Sequence, residues 1–435
     1  NSAMHIVGRP DVPKEKIVVV GGIKFEIWAE NCHLQNLALR QSTDNGVFGE
    51  SSFTMEDVIV EQCRGEGVYV DGDIYFAAAR AASAARAAAA ARAARGADSH
   101  NIVGRCTNVE VRQCKLSGVS AINGASITLI GVKTTVHHNC TDGDRDEYGL
   151  QVCDASSTIQ LVSLTKEQVS TNNGGGGNWG AIEDGDINQI KTITKAEFAA
   201  ARAAAAARAA RGEVHVPEDC NTLKEAVWRV AIGGDRLTTI VVGKGEHKIN
   251  GNYLMISSAV NIVGDPGVAK EEIVVMGGIK FKKGIQGNCH LQHLTLRQAE
   301  GNGVFGGSSF TMEDVLVEQC GGAGVWAYGT DVFARCTNVE VRKCERNGVY
   351  TSNDASITLI GAKTTVHQNC TMGFSFQYGL TVSGSDSTIQ LVSPLTKEQV
   401  SFDNGGGGNS GAEYGADLNQ IKTISQAEME WQTGR

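Results

Sequence analysis

Short alternating runs of hydrophobic and polar residues recur along the chain, separated by glycines and polar turns. Residues 312–320 (MEDVLVEQC), 337–344 (TNVEVRKC) and 387–392 (STIQLV) carry an apolar side chain at nearly every second position. This period of two predicts β-strands, because successive side chains of a strand point to opposite faces.

A Gly-Val or Gly-Leu pair follows each run in the second half of the chain. The pairs begin at Gly303, Gly324, Gly348 and Gly379. They recur about every 21–31 residues, as in proteins whose supersecondary units stack on one another. We therefore expect each segment to form one coil of an all-β solenoid, with parallel sheets running from coil to coil. A leucine-rich repeat has similar spacing, but no coil shows its LxxLxL phrase.

This solenoid pattern occurs twice. Residues 31–77 return as residues 288–334 with most positions identical, and the match resumes at Arg105 and Arg335. Each half of the duplication therefore predicts one structural unit, and the chain is expected to contain two tandem copies.

Alanine and arginine make up nearly all of two further segments. Both are strong helix formers, so we expect helices in residues 77–95 and 199–211. The former belongs to an insertion, about residues 78–104, which we interpret as a loop expansion, with a partner-binding arm as the alternative. The latter is interpreted as a semi-rigid linker. The predicted domains are a first copy, the linker and a second copy: residues 1–198, 199–212 and 213–435.

The second copy begins with a predicted cap. Residues 223–230 have a helical pattern, entered through Asn221 or Thr222 with Glu225 placed for a capping box, and residues 239–242 follow as a strand. A helix here would cover the apolar interior of the first coil. This order of helix, strand and coils resembles the amino-terminal end of the pectate-lyase-like proteins. The resemblance implies a right-handed parallel β-helix.

The first copy has no such cap in the sequence. Its opening, NSAMHIVGRPDV, matches residues 257–268, which lie inside the second copy. We therefore expect its first coil to be covered by further repeats of the same array or by self-association through this uncapped coil.

Charge excludes some partners. The chain has a net charge of −9 and a pI near 5.6, which disfavours nucleic acid and anionic membranes. An apolar run long enough to span a membrane is also absent from the sequence. The location is not predicted, although the resemblance favours an extracellular or cell-surface protein.

The cysteines follow the repeat. Three in each copy close the same local phrase, at Cys63, Cys114 and Cys140 and at their counterparts Cys320, Cys344 and Cys370. One residue per coil at the same place predicts an inward column of packed thiols, with neighbours about 4.8 Å apart. Such parallel side chains suit a disulfide badly, and the spacing is not that of a metal site.

Enzymes of the pectate-lyase-like group have catalytic motifs that this sequence lacks. The adjacent aspartates and Gly-His-Gly of galacturonases are missing, as are the WxDH, DPHD, QDTL and DFIFG phrases of related enzymes. No catalytic residue can therefore be carried over from the resemblance. The histidines of the repeat, such as His33 and His137, are interpreted as packing or turn residues.

Acidic turns are the remaining candidates for metal chemistry. VDGD contains Asp71 and Asp73, and TDGDRDEYG contains Asp142, Asp144 and Asp146. Flexible Asp/Gly turns offer the oxygen ligands that calcium prefers, against the simpler interpretation as solvated turns. The second copy has other residues at these positions, so no cofactor is expected and calcium is the only metal considered.

An aromatic residue follows the Gly-Val pair in three successive coils: Phe305, Trp326 and Tyr350. Because the valine should face inward, these rings should face outward and stack as a ladder. The predicted site adds three polar residues beside the ladder: Asp331, Asn353 and Asp354. Rings with flanking carboxylates and amides suit a sugar, although the rings could merely cover a solenoid flank. The first copy has Phe48, Tyr69 and then Ser120 in the matching places.

Two functions follow from these observations. The first is a noncatalytic repeat protein, structural or glycan-binding, whose partner is a polysaccharide or a glycoprotein. The second is an enzyme acting on acidic polysaccharides, as a lyase, hydrolase or epimerase. The copies differ most at the acidic turns that an enzyme would need, which favours the first.

Overall fold

The computed structural model describes residues 4–26, 32–72, 102–220, 222–233 and 236–433. The structure is mostly β, with 46% strand and 13% helix, and its sheets are large and parallel, one of them strongly curled. The chain divides into two compact units, Asn1–Ala204 and Ala205–Arg435. The predicted helix in residues 77–95 and the candidate Asp73 lie outside the described residues.

Strands β1–β17 belong to the first unit. Their bounds are His5–Val7, Val18–Val20, Ile23–Phe25, Cys32–Arg40, Val47–Gly49, Phe53–Glu61, Val68–Asp71, Val103–Thr107, Glu110–Arg112, Val119–Ile122, Ser126–Ile130, Thr135–His137, Tyr148–Val152, Thr158–Val162, Ser170–Thr171, Gly177–Ala181 and Ile190–Ile193.

Strands β18–β36 belong to the second unit. Their bounds are Glu213–Val216, Thr239–Val242, Gly245–Ile256, Val260–Gly264, Ile273–Phe281, Cys289–Arg297, Val304–Gly306, Phe310–Glu318, Val325–Tyr328, Phe333–Thr337, Glu340–Arg342, Val349–Ser352, Ser356–Ile360, Thr365–His367, Tyr378–Ser383, Thr388–Val392, Ser401–Phe402, Gly408–Glu413 and Ile421–Ile424.

The helices lie mainly at the ends of the strand arrays. The α-helices are α1 (Lys166–Val169), α2 (Lys195–Ala210), α3 (Leu223–Gly233), α4 (Lys397–Val400) and α5 (Gln426–Thr433). Short 3-10 helices occur at Lys14–Lys16, Ile187–Gln189, Lys270–Glu272 and Leu418–Gln420. Among the described residues, no helix is long and apolar enough to cross a membrane.

In each unit the strands form three columns, and every pairing among the described strands is parallel. In the second unit the first column runs through β19, β21, β23, β25, β27, β30, β33 and β36. The chain visits the first, second and third columns in turn and then returns to the first, as β27, β28, β29 and β30 show. This arrangement is compatible with the predicted solenoid.

Single residues in the left-handed region turn the chain from one column into the next. His293 (φ 53°) and Asp314 (φ 51°) break β23 and β25 into two column segments, and Gln298 (φ 55°) makes the following corner. Asn36 and Asp57 have the same role in the first unit. Asparagine, aspartate and histidine adopt this conformation more readily than most residues, so the repeat can turn without a loop.

Alternate side chains of each strand fill the interior. Leu291, Met312 and Cys336 are stacked in successive coils of the first column and are at most 1% exposed. The glycine of each Gly-Val pair allows this close stacking. At Gly324, for example, an added Cβ would lie only 2.2 Å from Cγ1 of Val341 in the next coil.

The predicted cap of the second unit is present. Helix α3 buries Leu223, Ala226 and Val230 against the core, and the backbone N–H of Glu225 donates to Oγ1 of Thr222 at 3.2 Å. In the first unit the corresponding apolar side chains Ile6, Ile17, Val19 and Ile23 are only partly buried. Their counterparts in the second unit have no exposed surface: Ile262, Ile273, Val275 and Ile279.

All twelve cysteines are buried free thiols. Burial raises the pKa of the Cys106 and Cys336 thiols to about 12. The thiolate is the reactive form of cysteine, so these side chains act as small core residues, as the repeat pattern predicts.

Helix α2 is longer than the Ala/Arg tract predicts, because it begins at Lys195. The backbone N–H of Glu197 donates to Oγ1 of Thr194 at 3.1 Å, while the Glu197 carboxylate accepts from the Thr194 N–H at 2.7 Å. This capping box starts the helix directly after β17. The division between the two units falls inside this helix.

Candidate functional site

The three predicted rings are neighbours on the outer face of the third column of the second unit. Phe305 on β24 is in register with Trp326 on β26, which is in register with Tyr350 on β29. The preceding residues Val304 and Val325 are fully buried. Because side chains alternate along a strand, the three rings face outward. We call Phe305, Trp326 and Tyr350 the aromatic strip.

The rings touch in different orientations. The Phe305 and Trp326 centroids are 4.9 Å apart with perpendicular planes, and those of Trp326 and Tyr350 are 5.3 Å apart and tilted by 32°. Tyr328 joins them, with its centroid 5.9 Å from that of Trp326 and 6.1 Å from that of Phe305. These distances are those of mutually stabilising aromatic pairs.

A lysine precedes the strip in both units. Lys280 is in register with Phe305 and places its Nζ 4.8 Å from the ring centroid. In the first unit Lys24 lies 5.0 Å from the centroid of Phe48, which is 5.2 Å from that of Tyr69. The next position there is the buried Ser120, so the first unit has a shorter strip.

A second outward row runs beside the aromatic strip, two residues further along each strand. Tyr328, Ser352, Ser383 and Glu413 are successive partners in the parallel register. The Trp326 indole Nε1–H donates to Oγ of Ser352 at 2.8 Å, which holds the indole against this row. We call Ser352, Ser383 and Glu413 the polar row.

Burial affects both titratable groups at this end of the face. Burial raises the pKa of the Tyr350 hydroxyl, and hydrogen bonds with the Ser383 and Ser352 side chains offset part of this increase. It also raises the pKa of the Glu413 carboxyl. Oε1 of Glu413 is buried and has no hydrogen-bond partner among the described residues. An unpaired carboxylate oxygen therefore lies just beneath the surface at this end of the face.

The predicted polar companions lie elsewhere in the coil. Asp331, Asn353 and Asp354 occupy the turns between the third and first columns, all with positive φ, and all are exposed. Asp354 lines a groove of about 650 Å³ on the outer face of the first column, together with Phe333 and Arg335. The structure thus places Asp354 in a separate groove, and the polar row takes the position next to the strip.

The acidic turns of the first unit differ in exposure. Asp71 is buried at the end of β7, whereas Asp142, Asp144 and Asp146 are exposed. The Asp142 and Asp144 carboxylates accept the backbone N–H groups of Asp144 and Asp146 in the same turn. Within the part of the chain that the structure describes, no group of three or more potential ligands is arranged to hold a metal ion.

An ion-pair row on the second column is present in both units. In the second unit Glu318, only 6% exposed, lies between Arg297 and Arg342, and Arg342 also contacts Glu340. Glu340 in turn accepts from the His367 ring at 3.2 Å. The two arginines hold the pKa of Glu318 below its usual value, although burial opposes them. This closed network leaves its carboxylates paired, which favours a structural role.

The chain matches no protein-family model and no curated protein sequence. The function is therefore inferred from the geometry of the outer faces alone.

Sequence reasoning found the aromatic strip and missed the polar row. The strip follows a repeated Gly-Val signal, but Glu413 follows no such pair, so its alignment with Ser352 and Ser383 depends on the register. The ion-pair row was also missed, although the same arginine and glutamate positions recur in both copies. Comparing outward positions between the two copies would have revealed the ion-pair row.

Proposed function

We propose that the chain is a pair of right-handed parallel β-helices that act as a noncatalytic scaffold and bind glycans through the aromatic strip. The three parallel columns in each unit and the recurrent corners support the β-helix. The observation that supports glycan binding is the in-register row Phe305, Trp326 and Tyr350 on an outer sheet face.

The strip suits the apolar faces of sugar rings. Aromatic side chains offer large rigid surfaces at low conformational cost, and a polar handle at the edge of the rings fixes orientation. Phe305, Trp326 and Tyr350 are each partly exposed, so a ligand can reach them without unfolding the coil. Successive strands are about 4.8 Å apart, which spreads the rings along the solenoid axis and suits an extended polymer.

The same face supports a binding role more than a catalytic one. Glycoside cleavage generally uses two carboxyl groups on opposite sides of the scissile bond. Beside the aromatic strip the described residues supply a single carboxyl, Glu413, and the neighbouring row positions are Ser352 and Ser383. The partner we propose is therefore a polysaccharide or a glycoprotein glycan that is held and not cleaved.

Binding to a panel of immobilised neutral and acidic polysaccharides and glycoproteins tests the proposal. We expect Trp326→Ala and Tyr350→Ala each to weaken binding at least about tenfold, equivalent to about 1.4 kcal/mol. Phe376→Ala is the matched control, because Phe376 is an exposed ring outside the strip. Equal binding by all three variants, or no binding by the intact chain, would contradict the proposal. Release of reducing ends or unsaturated products would show an enzyme.

A further inference from the structure

Resting on this proposed glycan binding, we infer that the polar row makes the strip selective for neutral, hydroxyl-rich glycans over uronic acid polymers. Glu413 is the main determinant, and the buried Ser352 and Ser383 lie between it and the rings. The occupant is thus a polymer whose hydroxyl groups donate hydrogen bonds and which carries no carboxylate near Glu413.

The register places this row beside the rings. Tyr350 and Ser352 are two residues apart on β29, so both side chains lie on the outer face of the same strand. Ser383 is the partner of Ser352 on the next strand, and Glu413 is the partner of Ser383 on the strand after that. A glycan stacked on Trp326 and Tyr350 and extended along the solenoid axis therefore passes beside the polar row.

Glu413 differs in its partners from the ion-paired carboxylates of the second unit. Glu318 lies between two arginines, and Asp314 contacts both Lys270 and His293. Oε1 of Glu413 has no hydrogen-bond partner within the described part of the chain. A buried acceptor without a partner is unfavourable, and a ligand that brings a second negative charge beside it raises this cost.

The charge of this carboxylate disfavours an acidic ligand. Lys280, which precedes the aromatic strip, lies five strands away from β35 along the register, about 24 Å at 4.8 Å per strand. This exceeds the screening length at physiological ionic strength, about 8 Å. A uronate beside Glu413 would therefore meet a like charge that Lys280 does not neutralise.

The first unit provides an internal comparison. The positions that correspond to the polar row are occupied there by Ile122, Cys153 and Ile182. These three positions supply neither a carboxyl nor a seryl hydroxyl, although Asp71 occupies the place of Tyr328 in that row, and the strip there is shorter by one ring. The second unit therefore contains the selective site.

Titration calorimetry of the full chain with a neutral glucan oligosaccharide and an oligogalacturonate of equal length tests the inference. We expect the intact chain to bind the neutral ligand at least about tenfold more tightly, equivalent to about 1.4 kcal/mol. Glu413→Gln keeps an acceptor and removes the charge. This variant should bind the neutral ligand with an affinity within about threefold of that of the intact chain, and it should bind the uronate at least about fivefold more tightly than the intact chain does. Glu398→Gln on α4, an exposed acid outside the site, is the matched control.

The possible results distinguish a failure of the selectivity from a failure of the proposed glycan binding. Loss of binding in Trp326→Ala together with an unchanged ligand ratio in Glu413→Gln would overturn the selectivity and leave the glycan site intact. Failure of the intact chain to bind either ligand would overturn both. A preference of the intact chain for the uronate would also overturn the inference. If Glu413→Gln does not fold, Glu413→Ala should still strengthen uronate binding, and unchanged uronate binding would overturn the selectivity.

Discussion

Replacing Glu318 by glutamine should destabilise the second unit measurably. Its carboxylate accepts from Nε of Arg297 at 2.6 Å and from Nε and Nη2 of Arg342 at 2.9 Å each. A glutamine side chain would turn one N–H donor toward an arginine donor, so at least one of these charge-assisted bonds is lost.

The structure sets the size of the effect. Removing one partner of a fully buried ion pair costs about 3–5 kcal/mol, whereas a single bond to a charged group contributes about 1.5–3 kcal/mol. The arginines are 29% and 31% exposed, so water can hydrate them once the carboxylate is gone. We therefore expect a loss of about 2 kcal/mol in the free energy of unfolding at neutral pH.

Urea unfolding of Glu318→Gln and of the control Glu313→Gln, followed by circular dichroism, measures this loss. Glu313 is exposed on the neighbouring column, and the control should change the free energy by less than about 0.5 kcal/mol.

The pH dependence has a definite sign. The arginines lower the pKa of Glu318 in the folded state from its ordinary value of 4.5. The ionised carboxylate therefore stabilises the fold above pH 4.5, and this stabilisation is lost as the pH falls through the lowered pKa. The difference in the free energy of unfolding between the intact chain and Glu318→Gln should therefore be largest near neutral pH and become smaller in acid. A gap that does not change with pH, or a loss no larger than that of the control, would refute this reasoning.

Three further predictions concern packing and capping. Gly324→Ala should destabilise the second unit by about 1–3 kcal/mol in urea unfolding, because its methyl group would lie 2.2 Å from Val341 Cγ1; an unchanged midpoint would contradict the coil spacing. Ellman's reagent near pH 8 should leave all twelve cysteines unreacted in the folded chain and modify all of them after denaturation; fast reaction of the folded chain would show that the thiol columns are open. Thr222→Ala should cost about 1 kcal/mol, because Oγ1 of Thr222 accepts the backbone N–H of Glu225, and Thr222→Ser should restore it.

Local pattern predicted the strands well because each obeys a period of two. The run at residues 312–320 is observed as strand Phe310–Glu318, and the predicted capping helix and strand are observed as Leu223–Gly233 and Thr239–Val242. The outward stacking of Phe305, Trp326 and Tyr350 followed from the same period. The assignment of the unit limits and of the glycan site remains a prediction.

The parts that sequence reasoning missed depend on pairing between coils. Tyr328 packs against the rings although it lies two residues beyond Trp326, and Ser383 pairs with Glu413, which lies 30 residues further along the chain and follows no Gly-Val or Gly-Leu pair. Because loop lengths differ from coil to coil, spacing along the chain does not give the row to which a loop-flanking residue belongs. The register of the parallel strands supplies that information.

The central claim is that a glycan lies on the aromatic strip of the second unit, and the indole N–H resonances report on it directly. The chain has five tryptophans, and Trp326→Phe assigns the resonance of Trp326 in a nitrogen–proton correlation spectrum. Titration with the neutral oligosaccharide should shift the Trp326 resonance saturably and leave those of Trp179 and Trp228 in place. Saturable binding that shifts another tryptophan and not Trp326 would contradict the account.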